Sequence, residues 1–273
     1  MNAAASASDS VSAAVAALLG PLLSARSAAG PLRVAVALSG GRDSMVLLDA
    51  LARFAPTHRI ALSALHVHHG LSPNADDWAA FCAGECTRRN VPLSVARVRV
   101  DRAPGQSLEA AARAARYAAF AVAGVDVIAL AHHADDQAET LLLQLLRGAG
   151  PQGLGAMPTL RGGGTAPALM RPLLDLPRAA IEASAAALDI QWIDDESNAD
   201  TRMKRNYLRH EVAPRLAAAF PGFPATLARA AGHQAEAAML LDDLAGLDAR
   251  DAVADDPQHG LTLDRRTLTA LSP

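Results

Sequence analysis

Val34-Ala35-Val36-Ala37-Leu38-Ser39-Gly40-Gly41-Arg42-Asp43-Ser44-Met45-Val46-Leu47-Leu48 is the stretch on which the fold turns. It begins inside a short β-branched run, Leu32–Leu38, and ends inside a helical pattern, Ser44–Phe54, with two glycines and two serines at the corner. A strand that passes through such a corner into a helix points free N–H groups and the positive end of the helix dipole at whatever lies above it. Glycine lets an anion approach the backbone closely, and Ser39 and Ser44 add hydroxyl donors. No Gly-Lys-Ser/Thr ending follows, so this is not the usual phosphate loop of kinases and GTPases. The plain alternative is a strand-to-helix turn capped by Ser or Asp. Glycine turns are common, but Ser-Gly-Gly-x-Asp-Ser at this corner is specific, and phosphate binding is the preferred reading.

Outward from this corner the pattern alternates. Ile60–Val67 reads as a second strand with a helix over 74–89, Leu93–Val100 as a third strand with a helix over 107–123, and Val125–Ala131 as a fourth strand with a helix over 136–147. Strands alternating with helices predict an α/β fold with a doubly wound parallel sheet, Rossmann-like, followed by a smaller helical region. Ligands of such sheets bind at the C-terminal ends of the strands, where the unusual residues of this chain fall. Residues 1–30 read as a leader helix, with an apolar run from Val11 to Leu23; 31–217 as the catalytic domain; and 218–273 as a helical remainder. Between them, Arg147–Pro167 holds seven glycines and three prolines and reads as a mobile functional loop or connector. Asp175 and Pro177 look like the cap and first-turn proline of a helix, and Leu208–Phe220 like another helix stopped by Pro221, Gly222 and Pro224.

Composition narrows the class. With 273 residues, 51% apolar and 19% charged, the chain can bury a core and is not disordered. A net charge of −3 excludes a protein basic throughout, but nucleic acid needs only a local patch. Arg202, Lys204, Arg205, Arg209 and Arg215 crowd one stretch around the single acid Glu211, whereas Asp242, Asp243, Asp248, Asp251, Asp255 and Asp256 make a later stretch acidic. Two cysteines, Cys82 and Cys86, make neither a disulfide framework nor a metal site and fit a reducing cytoplasm. The N-terminus lacks the basic region of a secretory signal, and the apolar run, broken by Gly20 and Pro21, is too short to span a bilayer.

Three further clusters carry chemistry. His66-Val67-His68-His69 follows the second strand; no nearby acid completes a metal set, and His68 or His69 reads as a nucleotide contact rather than a metal ligand. His132-His133-Ala134-Asp135-Asp136-Gln137-Ala138-Glu139-Thr140 follows the fourth strand. Asp136-x-x-Glu139 is readable as a capping box, but the same two acids share a helix face and could hold an ammonium group. Asp194-Asp195-Glu196-Ser197-Asn198 and Arg205-Asn206-Tyr207-Leu208-Arg209 bracket a short gap, and Glu109, Arg113, Arg116 and Tyr117 recur near the helical period, alone no more than a salt-bridged face.

Taken in order, these segments resemble the tRNA(Ile)-lysidine synthetase family of PP-loop ATP pyrophosphatases: Ser39–Ser44, His68-His69-Gly70-Leu71, Glu109-x-x-x-Arg113-x-x-Arg116-Tyr117, His132–Thr140, then Arg147-Gly148-x-Gly150-x-x-Gly153-Leu154-x-x-Met157-Pro158, Arg171-Pro172-Leu173 and Asp195–Arg209. The resemblance covers roughly residues 32–220. It departs at His68, where the family often has Asn, and at Ser72, where a basic residue is usual. It implies that ATP adenylates the C2 oxygen of the wobble cytidine in tRNA(Ile) with a CAU anticodon, and that the ε-amine of L-lysine then displaces AMP. It further implies ATP-binding by Ser39, Gly40, Gly41, Arg42, Asp43, Ser44, His68 and His69; a lysine pocket of Asp136, Glu139, Asn198 and Arg209; and tRNA or ATP contacts by Arg113, Arg116, Arg202 and Arg205. Asp43, Asp136 and Glu139 become the catalytic candidates, with Asp43 near Mg²⁺. The implied partners are tRNA and lysine, not a membrane, and a homodimer is compatible with them. A C-terminal tRNA-binding region is implied too, only begun at Leu261–Pro273. Competing readings are a tRNA 2-thiolase, which would need reactive cysteines at the site; an amidating synthetase, which would bring a glutaminase domain; and a non-catalytic nucleotide- or tRNA-binding module. Cys82 and Cys86 read as lying in the wrong helix for a thiolase, away from strand ends.

Overall fold

A computed structural model describes residues 3–26, 30–256 and 260–270 of the chain. Helix α1 (Ala3–Ser24) precedes β1 (Leu32–Ala37), which turns through the glycine corner into α2 (Arg42–Phe54). The alternation continues as β2 (Ile60–His68), α3 (Ala75–Arg88), β3 (Leu93–Arg97), α4 (Leu108–Ala121), β4 (Val127–Ala129) and α5 (Ala134–Leu145). A one-turn helix α6 (Pro151–Leu154), the short strands β5 (Leu160–Arg161) and β6 (Ala168–Met170), and α7 (Arg178–Ala187) follow. The sheet runs β3-β2-β1-β4-β6-β5, parallel except for β5 at the edge. Strand order reverses between β1 and β4, so the crevice above those two strands is the switch point where ligands of doubly wound sheets bind.

Alternation along β1 sends its side chains into two cores. Val34 and Val36 join Met45, Leu47, Leu48 and Leu51 of α2, whereas Ala35 joins Leu65, Ile128 and Phe120 on the other face. Val11, Val15 and Leu19, four residues apart on α1, are fully buried in the first of these cores, and α1 lies along α2 and α7. Truncating Leu19 to alanine would therefore cost about 2–5 kcal/mol.

Several boundaries differ from the sequence reading for identifiable reasons. Strand β3 stops at Arg97, short of Val100. Helix α7 is not capped by Asp175. Pro177 is its N-cap residue, and the N–H of Arg178 is taken by the distant carboxylate of Asp135 at 2.9 Å. The Gly/Pro-rich stretch is not one open loop; it carries α6 and β5, and the side-chain amide of Gln137 pins it by exchanging two hydrogen bonds with the backbone of Met157 (2.9 and 3.0 Å). The helix expected from Leu208 begins earlier, as α8 (Lys204–Tyr207), a π turn over Leu208–Val212, and α9 (Ala213–Ala219). Pro214 has no N–H to return to the preceding turn, which accounts for the break in the α-helical ladder there.

Helix α10 (Phe223–Ala252) packs on α5 and α6. A Cβ at Gly155 would lie 3.1 Å from Cα and Cβ of Ala235, so this close approach requires glycine. Beyond α10 the expected helix gives way to an antiparallel hairpin, β7 (Val253–Asp256) and β8 (Gly260–Leu263), and then α11 (Arg265–Ala270). Residues 271–273, the end of the stretch read as the opening of a further region, lie outside the described residues. Among the described residues no helix is long and apolar enough to cross a membrane.

Candidate active site

The phosphate cradle forms as the corner predicts. Gly40 sits at φ +88°, and a side chain there would collide with Ile193, whose Cδ1 would be 2.8 Å from the new Cβ. The Ile193 N–H donates to the Gly40 carbonyl at 2.9 Å, so the segment after α7 is laced to the loop. Ser39 and Ser44 hydroxyls lie 3.1 Å apart, and Ser44 donates to the Gly41 carbonyl at 2.8 Å. Gly41 caps α2 without any side-chain hydrogen bond, which leaves the first N–H groups of the helix to an incoming anion. Arg42 is turned sideways, paired with Asp43 (3.1 Å) and Glu182 of α7 (2.7 Å).

A histidine joins this cradle to the acids after β4. His133 Nε2 lies 3.5 Å from Oδ2 of both Asp43 and Asp136, and its Nδ1 lies 3.7 Å from Asp135. Burial alone would discharge His133, but the three surrounding carboxylates outweigh it and raise its pKa above the ordinary value. Burial likewise pushes the Asp43 carboxyl up, and the hydrogen bond from His133 with the charges of His133 and Arg42 overcomes this and holds it low. The neighbouring His132 behaves oppositely: burial lowers it to about 3, so it stays neutral.

The capping box also differs from the expected one. His133 is the N-cap residue, and its N–H donates to Asp136 Oδ2 at 3.1 Å. Asp136 is thus the box acid, and Glu139, one turn on, has no capping role. Both acids face α8 and the π turn. Arg205 reaches Asp136 Oδ1 (2.9 Å) and Glu139 Oε2 (2.8 Å); Arg209 reaches Asp136 Oδ1 (3.1 Å) and both Glu139 oxygens (2.7 and 2.9 Å). Their spacing of four residues puts both guanidiniums on one side of the helical segment. Asp136 is held down at about 2: burial opposes this, and the charges of His133, Arg205 and Arg209 prevail.

Among the described residues, a second group of cations, Arg113, Arg116 and Arg171, has no carboxylate partner. Arg113 donates to the Tyr117 hydroxyl at 3.0 Å and lies over its ring at 4.7 Å. Arg171, 2% exposed, donates to the Pro158 carbonyl at 2.6 Å. Buried Nε atoms of Arg116 and Arg171, and Nδ1 of His69 and His132, have no hydrogen-bond partner. Burial, followed by the neighbouring cation Arg116, lowers the His69 pKa.

Not every predicted residue joins the site. The His68 Nε2 atom is engaged by Asp76 (3.2 Å) and Arg97 (3.1 Å), whereas Nδ1 of His69 is buried without a partner. Asn198 is exposed, and its hydrogen bonds to Asp195 and His210 are made by its backbone N–H and carbonyl. Arg202 is 90% exposed and bound to Asp200. Arg205, read as a tRNA or ATP contact, instead sits between the two acids. Sequence reasoning missed His133, Arg171 and Glu182 as individual players; the doubled histidine was the visible signal for the first. It also misplaced Cys82, which is buried behind the loop, 3.2 Å from where a Gly40 Cβ would be and 3.6 Å from His66 Nδ1. Burial drives its thiol up to about 12, so proximity does not make it a nucleophile.

Comparison with known proteins follows the same lines. A family model described as a PP-loop domain matches residues 11–216. The tRNA(Ile)-lysidine synthase of Chromobacterium violaceum is 54% identical over 214 residues, 78% of this chain and 49% of the relative. Those of an Azoarcus species and of Burkholderia pseudomallei are each 52% identical, over 85% and 87% of this chain and 52% and 49% of theirs. The chain thus spans about half the length of the curated relatives it matches. Among solved structures, the U34-tRNA thiolase NcsA of Methanococcus maripaludis superposes with a TM-score of 0.66 at 18% identity, covering 83% of this chain and 78% of that one; this likeness is one of fold.

Proposed function

The chain belongs to the PP-loop family, and from that premise we propose that it carries the ATP-using machinery which joins L-lysine to the wobble cytidine of tRNA(Ile) with a CAU anticodon. The observation that carries this reading is the hydrogen-bonding and ionic chain Asp43–His133–Asp136, which ties a phosphate cradle to a buried acid pair at one sheet end. Phosphate binding alone would not call for Asp136 and Glu139. Identity of about half the residues to curated lysidine synthases over most of the chain supports the substrate assignment.

The reaction has two steps in this reading. The cytidine C2 oxygen attacks the α-phosphorus of ATP, and the α–β bridging bond breaks to release pyrophosphate. The lysine ε-amine then adds at C2, the C–O bond to AMP breaks, and the amine proton passes to a nearby base. Free N–H groups of α2, with Ser39 and Ser44, take the departing pyrophosphate. Asp136 and Glu139 receive the ammonium, and Arg209 the amino-acid carboxylate. Arg113, Arg116 and Arg171, with no carboxylate of their own, suit the phosphates of ATP or tRNA. Among the described residues no group of three or more His, Cys, Asp or Glu gathers as a metal site. Asp43 alone fits Mg²⁺, which commonly takes one or two carboxylates beside substrate phosphates; when bound it would offset phosphate charge. Residues 31–217 form the catalytic unit in this proposal, with 218–273 leading toward tRNA binding.

A thiolase reading is disfavoured by the buried, high-pKa Cys82 and by the lack of other cysteines near the loop. The test is incorporation of labelled lysine into a CAU-anticodon tRNA(Ile) transcript, with other amino acids as controls. Lysine alone should be incorporated, and only with ATP; incorporation without ATP, or none with it, contradicts the proposal.

A further inference from the structure

Every oxygen of the proposed ammonium pocket is already taken. Asp136 Oδ1 accepts from both Arg205 and Arg209, Asp136 Oδ2 from the His133 N–H, and the two Glu139 oxygens from Arg205 and Arg209. Side chains of the two acids are only 9–10% exposed and those of the two arginines 24–25%. An ammonium group brings three donors and no acceptor. Asp136 Oδ2 and Glu139 Oε1 accept one bond each, too few acceptor sites for three donors, so a guanidinium must give way, and a displaced guanidinium left unpaired in a partly buried position is costly.

The two arginines lie under different influences from outside the pocket. Arg209 feels the charge of Asp43 in the first turn of α2, directly beside the phosphate cradle. The charge of Arg205 reaches Arg116, in the group of unneutralised cations, and helps to lower its pKa after burial. Phosphates drawn to those cations would offer Arg205 the bidentate partner that a guanidinium prefers. Arg209 also lies within the π turn, a helical distortion that is frequent at functional sites.

We infer that Arg205 plugs the amine pocket, and that a phosphate-bearing ligand in the loop withdraws it so that the amine can bind second, with Arg209 kept for the carboxylate of the incoming amino acid. The exchange is neutral overall: one guanidinium leaves the acid pair for the phosphates, and one ammonium takes its place. The inference rests on the functional reading above for the identity of the amine. In energetic terms it is a coupling between two sites, and such coupling is reciprocal.

The experiment is equilibrium dialysis of labelled lysine against the full chain, with and without Mg²⁺ and the uncleavable α,β-methylene analogue of ATP. The analogue should tighten lysine binding at least about tenfold, and lysine should tighten the analogue by the same factor. In Arg205→Gln, lysine should bind well without the analogue and the coupling should fall toward unity. Coupling within twofold in the unmodified chain, or coupling that survives intact in Arg205→Gln, overturns the plug. Should the variant fail to fold, the size of the coupling in the unmodified chain decides: about tenfold supports the plug, and less than twofold overturns it. If the chain incorporates lysine into tRNA but shows no coupling, the plug alone is wrong. If lysine binds under neither condition and is never incorporated, the functional reading fails with it.

Discussion

On one side of the site Asp136 and Glu139 meet Arg205 and Arg209 charge for charge, whereas on the other Arg113, Arg116 and Arg171 converge on Tyr117 with no carboxylate bonded to them. The first group is complete as it stands and can take a ligand only by exchange. The second holds buried donors without acceptors, Arg116 Nε and Arg171 Nε, an arrangement that costs stability until an anion arrives. Burial lowers the pKa of both Arg116 and Arg171, but in Arg205 and Arg209 the carboxylates more than offset burial and raise it. The contrast teaches that charge alone does not identify a ligand site. What distinguishes the two groups is whether the protein itself has supplied the counter-ion.

The strongest test of that contrast strikes the loop that both groups face. Asp43→Ala should reduce pyrophosphate release at least about 1000-fold, roughly 4 kcal/mol of transition-state stabilisation, while the chain stays folded at the assay temperature. Near-normal turnover would make the loop a structural turn and remove the shared target of the two groups.

Next in size is a matched pair of neutralising substitutions. Glu139→Gln leaves two partly buried guanidiniums short of charge and should destabilise the fold by on the order of 3 kcal/mol, while raising the lysine concentration needed for half-maximal rate. Arg116→Gln removes a cation that has no carboxylate partner. It should leave stability unchanged or slightly higher and weaken nucleotide or tRNA binding about tenfold. Chemical denaturation and ligand titration separate the two. Equal destabilisation by both substitutions would erase the distinction between the compensated and uncompensated groups.

Much of this arrangement was readable before any coordinates, and the part that was not has physical causes. The strand–glycine–helix corner and the acids after the fourth strand follow from local pattern, and both fall where expected. Strands β5 and β6, of two and three residues, are too short to display a period, so they were lost in a glycine-rich segment. The site itself was only half legible. Asp136 and Glu139 were visible as a pair on one helix face, but their partners come from residues 66 to 73 positions away in sequence, and spacing says nothing of contacts across such distances. Arg205 and Arg209 therefore looked like members of a basic stretch. The two histidines were equally ambiguous in sequence; only burial and the position of Asp43 make one charged and the other neutral.

That pair gives a smaller, pH-dependent prediction. His132 is depressed from 6.5 to about 3, so its neutral burial favours the fold fully above pH 6.5, and this contribution is lost as pH falls toward 3. Within that window His132→Asn should reduce the slope of stability against pH by one proton, about 1.4 kcal/mol per pH unit. His133 has a raised pKa and acts in the opposite sense: its contribution is present below 6.5 and lost as pH rises through the raised value. Denaturation profiles of the two variants that run parallel to the unmodified chain would show that neither histidine is held as described.

The central claim is that the cradle and the acid pair serve successive halves of one reaction, adenylation of the cytidine and then attack by the lysine amine. Its most direct test is a pulse and chase with ATP labelled at the α-phosphate. Chain, Mg²⁺, labelled ATP and the CAU-anticodon tRNA(Ile) transcript are mixed without lysine; label should pass to the tRNA, and pyrophosphate should appear. Addition of lysine, but not of ornithine or arginine, should then release the label as AMP while the amino acid remains on the tRNA. Label that never reaches the tRNA, or that leaves equally with any amine, would contradict the account.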